Sequence, residues 1–143
     1  MVRLELPEIE TLRRDLEREA VGKKIKTAEA VVLKSLPRHK TRKSFEDSLV
    51  GAKILTAERL GLLLMMKLDN ERTLVISLGE NGRIVRAATK DKQTDDTVAV
   101  ITLDKAGDLR ILDSNGTSAI HAVPNEDLAS VLPDPSHMGL DLH

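Results

Sequence analysis

Leu62-Leu63-Leu64-Met65-Met66-Lys67-Leu68-Asp69-Asn70-Glu71-Arg72-Thr73-Leu74-Val75-Ile76-Ser77-Leu78 holds two apolar runs, 62–68 and 73–78, on either side of a polar break. Each run is short for a core helix, and Asp69-Asn70-Glu71-Arg72 supplies turn-forming residues between them, so the stretch predicts a β-hairpin. Neighbouring residues on a strand face opposite ways. The Met65-Met66 step therefore places one flexible side chain in the core and the other against a second apolar surface.

Toward the C-terminus, Arg83 to Ala87 continues the sheet, and Lys90-Asp91-Lys92-Gln93-Thr94-Asp95-Asp96 reads as a polar, mobile excursion. Thr97 to Leu103 and Leu109 to Leu112 predict a second hairpin across Asp104-Lys105-Ala106-Gly107-Asp108. Ser118 to Val123 follows as a last strand, and Glu126 to Leu132 as a short helix. Gly79-Glu80-Asn81-Gly82 lies between strands, so it is a turn and not a phosphate loop opening a helix.

Toward the N-terminus, Lys24 to Leu33 reads as a strand closed by Pro37, and Ser44 as the N-cap of a short helix with Phe45 and Leu49 on its apolar face and Gly51 as its stop. The chain opens on a longer helix. Pro7 fits its first position, and Glu8 and Glu10 put negative charge where the helix dipole favours it. Ile9, Leu12, Leu16 and Ala20 recur at helical spacing on one face, Glu10, Arg13, Arg14, Glu17 and Arg18 fill the other, and Gly22 ends it. The fold class these elements predict is α+β, mostly β: an antiparallel two-sheet β-sandwich with a long N-terminal helix and short flanking helices. It forms one domain over residues 1–132, with 133–143 as a C-terminal tail or the start of a linker.

Composition narrows the function. A chain of 143 residues buries roughly two-thirds of its unfolded surface, enough for one domain with a real core. Phe45 is the only aromatic residue, so no Trp or Tyr is available to stack on a base. The absence of Cys excludes disulfides and Cys-ligated zinc. His39, His121, His137 and His143 are widely separated and lack partners at ligand spacing, so no metal site and no cofactor is expected. No Gly-x-Ser-x-Gly elbow occurs. The charged, helical opening contains no signal peptide, and no apolar run is long enough to span a bilayer, so the expected location is cytoplasmic, with no membrane partner. Lys and Arg number 22 against 23 Asp and Glu, a balance unlike that of a dedicated duplex binder. The densest basic run is Lys34-Ser35-Leu36-Pro37-Arg38-His39-Lys40-Thr41-Arg42-Lys43, a solvated loop or a phosphate-contacting one.

Glu5-Leu6-Pro7-Glu8-Ile9-Glu10-Thr11 resembles the opening Met-Pro-Glu-Leu-Pro-Glu-Val-Glu-Thr of the formamidopyrimidine-DNA glycosylase/endonuclease VIII family. Gly51-Ala52-Lys53-Ile54 with Glu58-Arg59-Leu60-Gly61-Leu62-Leu63-Leu64 is similar to its Gly-Arg-x-Ile and Arg-Arg-Gly-Lys-Tyr-Leu-Leu. Leu74 to Ile84 is similar to its Leu-x-x-His-Leu-Gly-Met-x-Gly-x-Leu. Leu109-Arg110-Ile111-Leu112-Asp113 resembles the strand before its Asp-Pro-Arg-Arg-Phe-Gly. The blocks run in family order over nearly the whole chain. The resemblance implies a β-sandwich N-terminal domain, normally followed by a helix-two-turn-helix region and often a zinc finger, neither of which occurs within this sequence.

The resemblance also implies a chemistry, in which the amine of an N-terminal proline attacks the sugar of a damaged nucleotide, forms a Schiff base, releases the base and cleaves the strand. Glu5 matches the family's catalytic glutamate. Leu4 stands where the nucleophilic proline is expected, Leu62 where the catalytic lysine is, Ser77 in place of the His, and Glu80 in place of the Met that probes the base stack. Asp113-Ser114-Asn115-Gly116-Thr117-Ser118 has neither the arginines nor the aromatic wedge that fill the space of a flipped nucleotide. Arg38, Lys40, Arg42 and Lys43, together with Arg59, are the candidate nucleic-acid contacts. Three readings follow: a glycosylase-like pseudoenzyme that binds damaged or duplex DNA weakly, or a protein partner; an active DNA glycosylase and abasic-site lyase of base excision repair; and an interaction domain with no role on DNA.

Overall fold

The computed structural model describes residues 5–32, 41–60, 63–79, 82–114 and 118–130. Helix α1 spans Glu5–Glu19 and α2 Arg42–Leu49; the strands are β1 Ile25–Ala30, β2 Glu58–Leu60, β3 Leu63–Lys67, β4 Arg72–Ser77, β5 Arg83–Ala87, β6 Thr97–Leu103, β7 Gly107–Leu112 and β8 Ala119–Pro124, and a 3-10 segment covers Asn125–Ser130. Two four-stranded sheets result, ordered β1-β6-β7-β5 and β2-β3-β4-β8. Every recorded strand pairing is antiparallel.

The central hairpin explains why this is a sandwich. Leu64, Met66, Leu74, Ile76, Ile120 and Ala122 alternate onto one face of their sheet and share a core with Ala28, Ala99, Ile101, Leu109 and Ile111 of the other sheet. Burying each of the larger side chains contributes about 1.5–3 kcal/mol before the entropy of ordering the chain is counted. The alternate residues Leu63, Val75 and Val123 join Leu60 in a separate cluster against which Met65 and Leu128 pack. Met66 is thus in the main core and Met65 on the second surface, the division the strand period requires.

Helix α1 packs against β2 and β5, and α2 against β1 and β8. Ile9, Leu16 and Ala20 are buried, and Leu12 is partly buried against the core. Gly22 takes φ 91°, a left-handed conformation that costs glycine little and suits the end of a helix.

Several local expectations are corrected. The helix begins at Glu5, so Pro7 is its third residue; the first four N–H groups of a helix have no intrahelical acceptor, so Pro7 still forfeits nothing. The N-cap of α2 is Thr41, whose Oγ1 accepts from the Ser44 N–H at 3.0 Å, and not Ser44. Strand β1 stops at Ala30, before the exposed Val31, instead of running to Leu33. Residues 58–60 form a strand without an apolar run because β3 supplies their partners, Glu58 opposite Met65 and Leu60 opposite Leu63. The expected final helix is a 3-10 segment starting at Asn125, whose N–H donates to the Glu71 carbonyl. The expected tail, 133–143, lies outside the described residues.

The polar excursion after β5 is anchored. Arg110 of β7 is buried on the outer face of its sheet; its guanidinium donates to both the Asp108 carboxylate, at 3.0 Å, and the carbonyls of Ala88, Asp91 and Lys92 at 3.1, 2.8 and 3.3 Å. Thr89 and Thr102 hydroxyls donate to the other Asp108 oxygen at 2.9 and 2.7 Å. The loop thus closes over a charge whose donors and acceptors are paired, as a buried ion requires.

Candidate nucleic-acid interface

Leu4, Leu62 and Glu80 lie outside the described residues; Ser77, the remaining position where the resemblance implies a lost function, lies at one end of the β2-β3-β4-β8 sheet. Leu63 is opposite Ser77, and Ser77 opposite Ala119, so the start of β3, the end of β4 and the start of β8 lie side by side. Helix α1 points the same way. Glu10 meets Arg59 while Arg13, a turn further on, reaches the Ala57 carbonyl, so α1 runs antiparallel to β2 and its first turn, which begins at Glu5, points toward the Leu60 end of β2.

The loops at that end are stitched together by Ser118. Its N–H and hydroxyl both donate to Asp113 Oδ2, at 2.7 and 2.6 Å, and its Oγ accepts from the Gly79 N–H at 2.9 Å. A Cβ at Gly82 would fall on that hydroxyl, so the turn needs glycine there to approach the β8 entry this closely. Asp113 and Ser118 are both buried. The sequence carried no signal for this knot, because its members are separated by an unremarkable polar loop.

Arg59 is held by a carboxylate. Its Nε donates to Glu10 Oε1 at 3.0 Å, while Arg13 and Arg14 donate to the same carboxylate at 2.9 and 3.2 Å. The Arg13 guanidinium, then Arg59, hold the Glu10 carboxyl down to about 2 against a smaller upward push from burial. Arg13 is raised in turn, chiefly by Glu10. The charged face of the helix therefore carries a cluster that docks α1 on β2, and the Glu10-x-x-Arg13 spacing was the available clue.

The basic run is placed in part. Arg42 donates to the carbonyls of Ala30 and Val31, at 2.7 and 3.2 Å, fastening the end of β1 to the start of α2. Lys43 pairs with Asp47 at 3.5 Å on the exposed side of α2. Arg38 and Lys40 lie outside the described residues. No hydrogen bond or ion pair among the described residues joins Arg42 or Lys43 to the Glu10 cluster. A polar cleft of about 440 Å³ between Asn70–Arg72 and Pro124–Glu126 sits at the opposite end of the sheet from Ser77. Among the described residues no group of three His, Asp or Glu could hold a metal ion, and no helix is long and apolar enough to cross a membrane.

Residues 4–120 match the model of the formamidopyrimidine-DNA glycosylase N-terminal domain. The formamidopyrimidine-DNA glycosylase of Pelotomaculum thermopropionicum is 32% identical over 124 residues, 87% of this chain and 45% of that protein. That of Rhodococcus erythropolis is 30% identical over 150 residues, covering 96% and 52%. The Lactococcus lactis enzyme, solved in complex with FAPY-dG-containing DNA, superposes with a TM-score of 0.77 over 87% of this chain and 46% of its own, at 22% identity, a likeness of fold. The chain spans about half the length of the curated relatives it matches.

Proposed function

Since this chain belongs to the formamidopyrimidine-DNA glycosylase family and corresponds to its N-terminal domain, we propose that it is a glycosylase-like module that binds DNA and has lost base excision and strand cleavage. The observation that carries this is Leu62, at the position of the family's catalytic lysine, in a chain whose core positions on either side are kept. A leucine side chain can neither carry charge to a phosphate nor take part in Schiff-base chemistry. Leu4 at the position of the proline nucleophile points the same way, as does Glu80, a carboxylate at the position of the family's base-stack-probing Met.

Fold and chemistry have separated along the chain. Leu64, Leu74 and Ile76 are fully buried, while the substituted Ser77 is the half-buried last residue of β4. Support for DNA as the partner comes from the relatives: the Lactococcus lactis protein is bound to FAPY-dG DNA in one structure and to DNA with an abasic site in another.

Borohydride trapping tests the loss of chemistry. Incubating the 143-residue chain with duplex carrying an abasic site should give no covalent adduct and no strand nicking. An adduct at any amine of the chain would overturn the reading, and its position would identify the nucleophile.

A further inference from the structure

Lys24 and Lys53 face each other across an isolated antiparallel bridge between the start of β1 and the segment after α2. Directly opposed residues on such a bridge project to the same side with Cβ atoms about 4.5–5.5 Å apart, and like charges there weaken the pairing. The chain accepts this repulsion at a well-fastened place: Gly22 N–H donates to the Ile54 carbonyl at 2.7 Å, Ile54 N–H to Lys23 at 2.9 Å and Ile25 N–H to Ala52 at 2.8 Å. Lys26 adds a third ammonium. It is exposed at a bulge in β1, beyond the buried Ile25, so it emerges on the solvent side with Lys24. None of the three makes an ion pair with a described residue. Two acids adjoin them through the main chain: Asp69 Oδ1 accepts the Lys53 N–H at 2.9 Å, and the Asp104 N–H donates to the Lys24 carbonyl at 2.9 Å.

We propose that Lys24, Lys26 and Lys53 form a ridge that binds the phosphate backbone of duplex nucleic acid, at the end of the sandwich away from Ser77. The location follows from β3, which runs from Leu63, opposite Ser77, to Lys67, next to the Leu68–Ile54 bridge beside Lys53. Three ammonium groups on flexible stems suit a repeating phosphate charge and no single anion geometry. The only aromatic side chain, Phe45, is fully buried, so the surface has nothing with which to stack an unpaired base, which favours a duplex over a single strand. The inference rests on the reading of the chain as a DNA-binding module, but it assigns contacts that the family positions do not include.

Fluorescence anisotropy of the full chain with a labelled duplex of arbitrary sequence, titrated at salt concentrations from 50 to 200 mM, tests it. K24Q/K53Q should flatten the slope of log affinity against log salt by about 1.8, at about 0.9 per lost phosphate contact, so the wild-type advantage shrinks roughly tenfold over that range. K26Q alone, at an exposed position, should flatten it by about 0.9. The double variant should melt at or above the wild-type temperature, because it removes a like-charge pair; a lower melting temperature would mean that the lysine stems serve packing, and would overturn the ridge. Wild-type binding with unchanged slopes in both variants would overturn the ridge and leave the family reading standing. No wild-type binding at 50 mM salt would overturn both. Equal binding of an oligo-glutamate peptide of matched charge would overturn the assignment to nucleic acid.

Discussion

Arg110 and Arg13 each meet a carboxylate, at 3.0 and 2.9 Å, yet the Arg110 pair keeps only 6% and 2% of its side-chain surface in water and the Arg13 pair 22% and 27%. The buried pair is closed by backbone carbonyls and two hydroxyls; the half-exposed pair shares its carboxylate among three guanidiniums. Similar contact distances therefore carry different consequences. Removing one member of the first pair leaves an uncompensated charge without water to solvate it, whereas the second can rehydrate.

The sharpest break of this comparison is Arg110→Met. It strands Asp108 in the sheet and frees four carbonyls of the 88–92 loop, and it should cost about 3–5 kcal/mol in urea unfolding. A loss under about 1 kcal/mol would put Arg110 in the same class as Arg13.

The next effect is read through pH. Glu10 is held down to about 2 from an ordinary value of 4.5, so its contribution is fully present above about pH 4.5 and is lost as pH falls through about 2. The stability advantage of wild type over Glu10→Gln should be about 1–2 kcal/mol at pH 6, less than a dry pair would give because over a quarter of the side chain is wetted. It should decline between pH 4.5 and 2, and a constant difference across that window would remove Glu10 as the linked group.

The smallest contrast is internal to the exposed cluster. Arg13→Ala, which loses Glu10, Glu17 and the Ala57 carbonyl, should cost about 0.5–1 kcal/mol, while Arg14→Ala, at 69% side-chain exposure, should stay within about 0.5 kcal/mol of wild type. Equal costs would mean that the link from α1 to β2 adds nothing to the helix-surface pairs.

These two hubs also mark where sequence reading succeeds. The hairpins β3–β4 and β6–β7 were legible, because apolar residues alternate or run unbroken between turn signals and each strand finds its partner nearby. Strand β2 was not, since Glu58-Arg59-Leu60 has no pattern of its own and becomes a strand only beside β3. Arg110 gave little sign of burial: apart from Asp108, two residues away on the same strand face, its acceptors are main-chain oxygens of a loop about twenty residues away, and backbone acceptors leave no trace in side-chain composition. At the candidate interface, the family positions could be named only through the resemblance, and of the substituted ones Ser77 is described, at one end of its sheet. The basic run proved a poor guide to available charge. Arg42 fastens a strand end, whereas Lys24 and Lys53, twenty-nine positions apart, become neighbours only through strand pairing.

The strand order β1-β6-β7-β5 bears on how the chain reaches this state. Hairpins β3–β4 and β6–β7 close across short turns, but β1 must find β6, with Ile25 opposite Leu103, and β8 must return to β4, with Ala122 opposite Leu74. Closing such distant pairs spends chain entropy before their contacts repay it, which places the domain among high-contact-order folders, with refolding in about milliseconds to seconds. Pulse-labelled hydrogen exchange should protect the amides of β3, β4, β6 and β7 ahead of those of β1 and β8. Simultaneous protection of β1 and β7 would instead mean that α1, tied to β5 through Glu19 and Arg86, draws the first strand into place early.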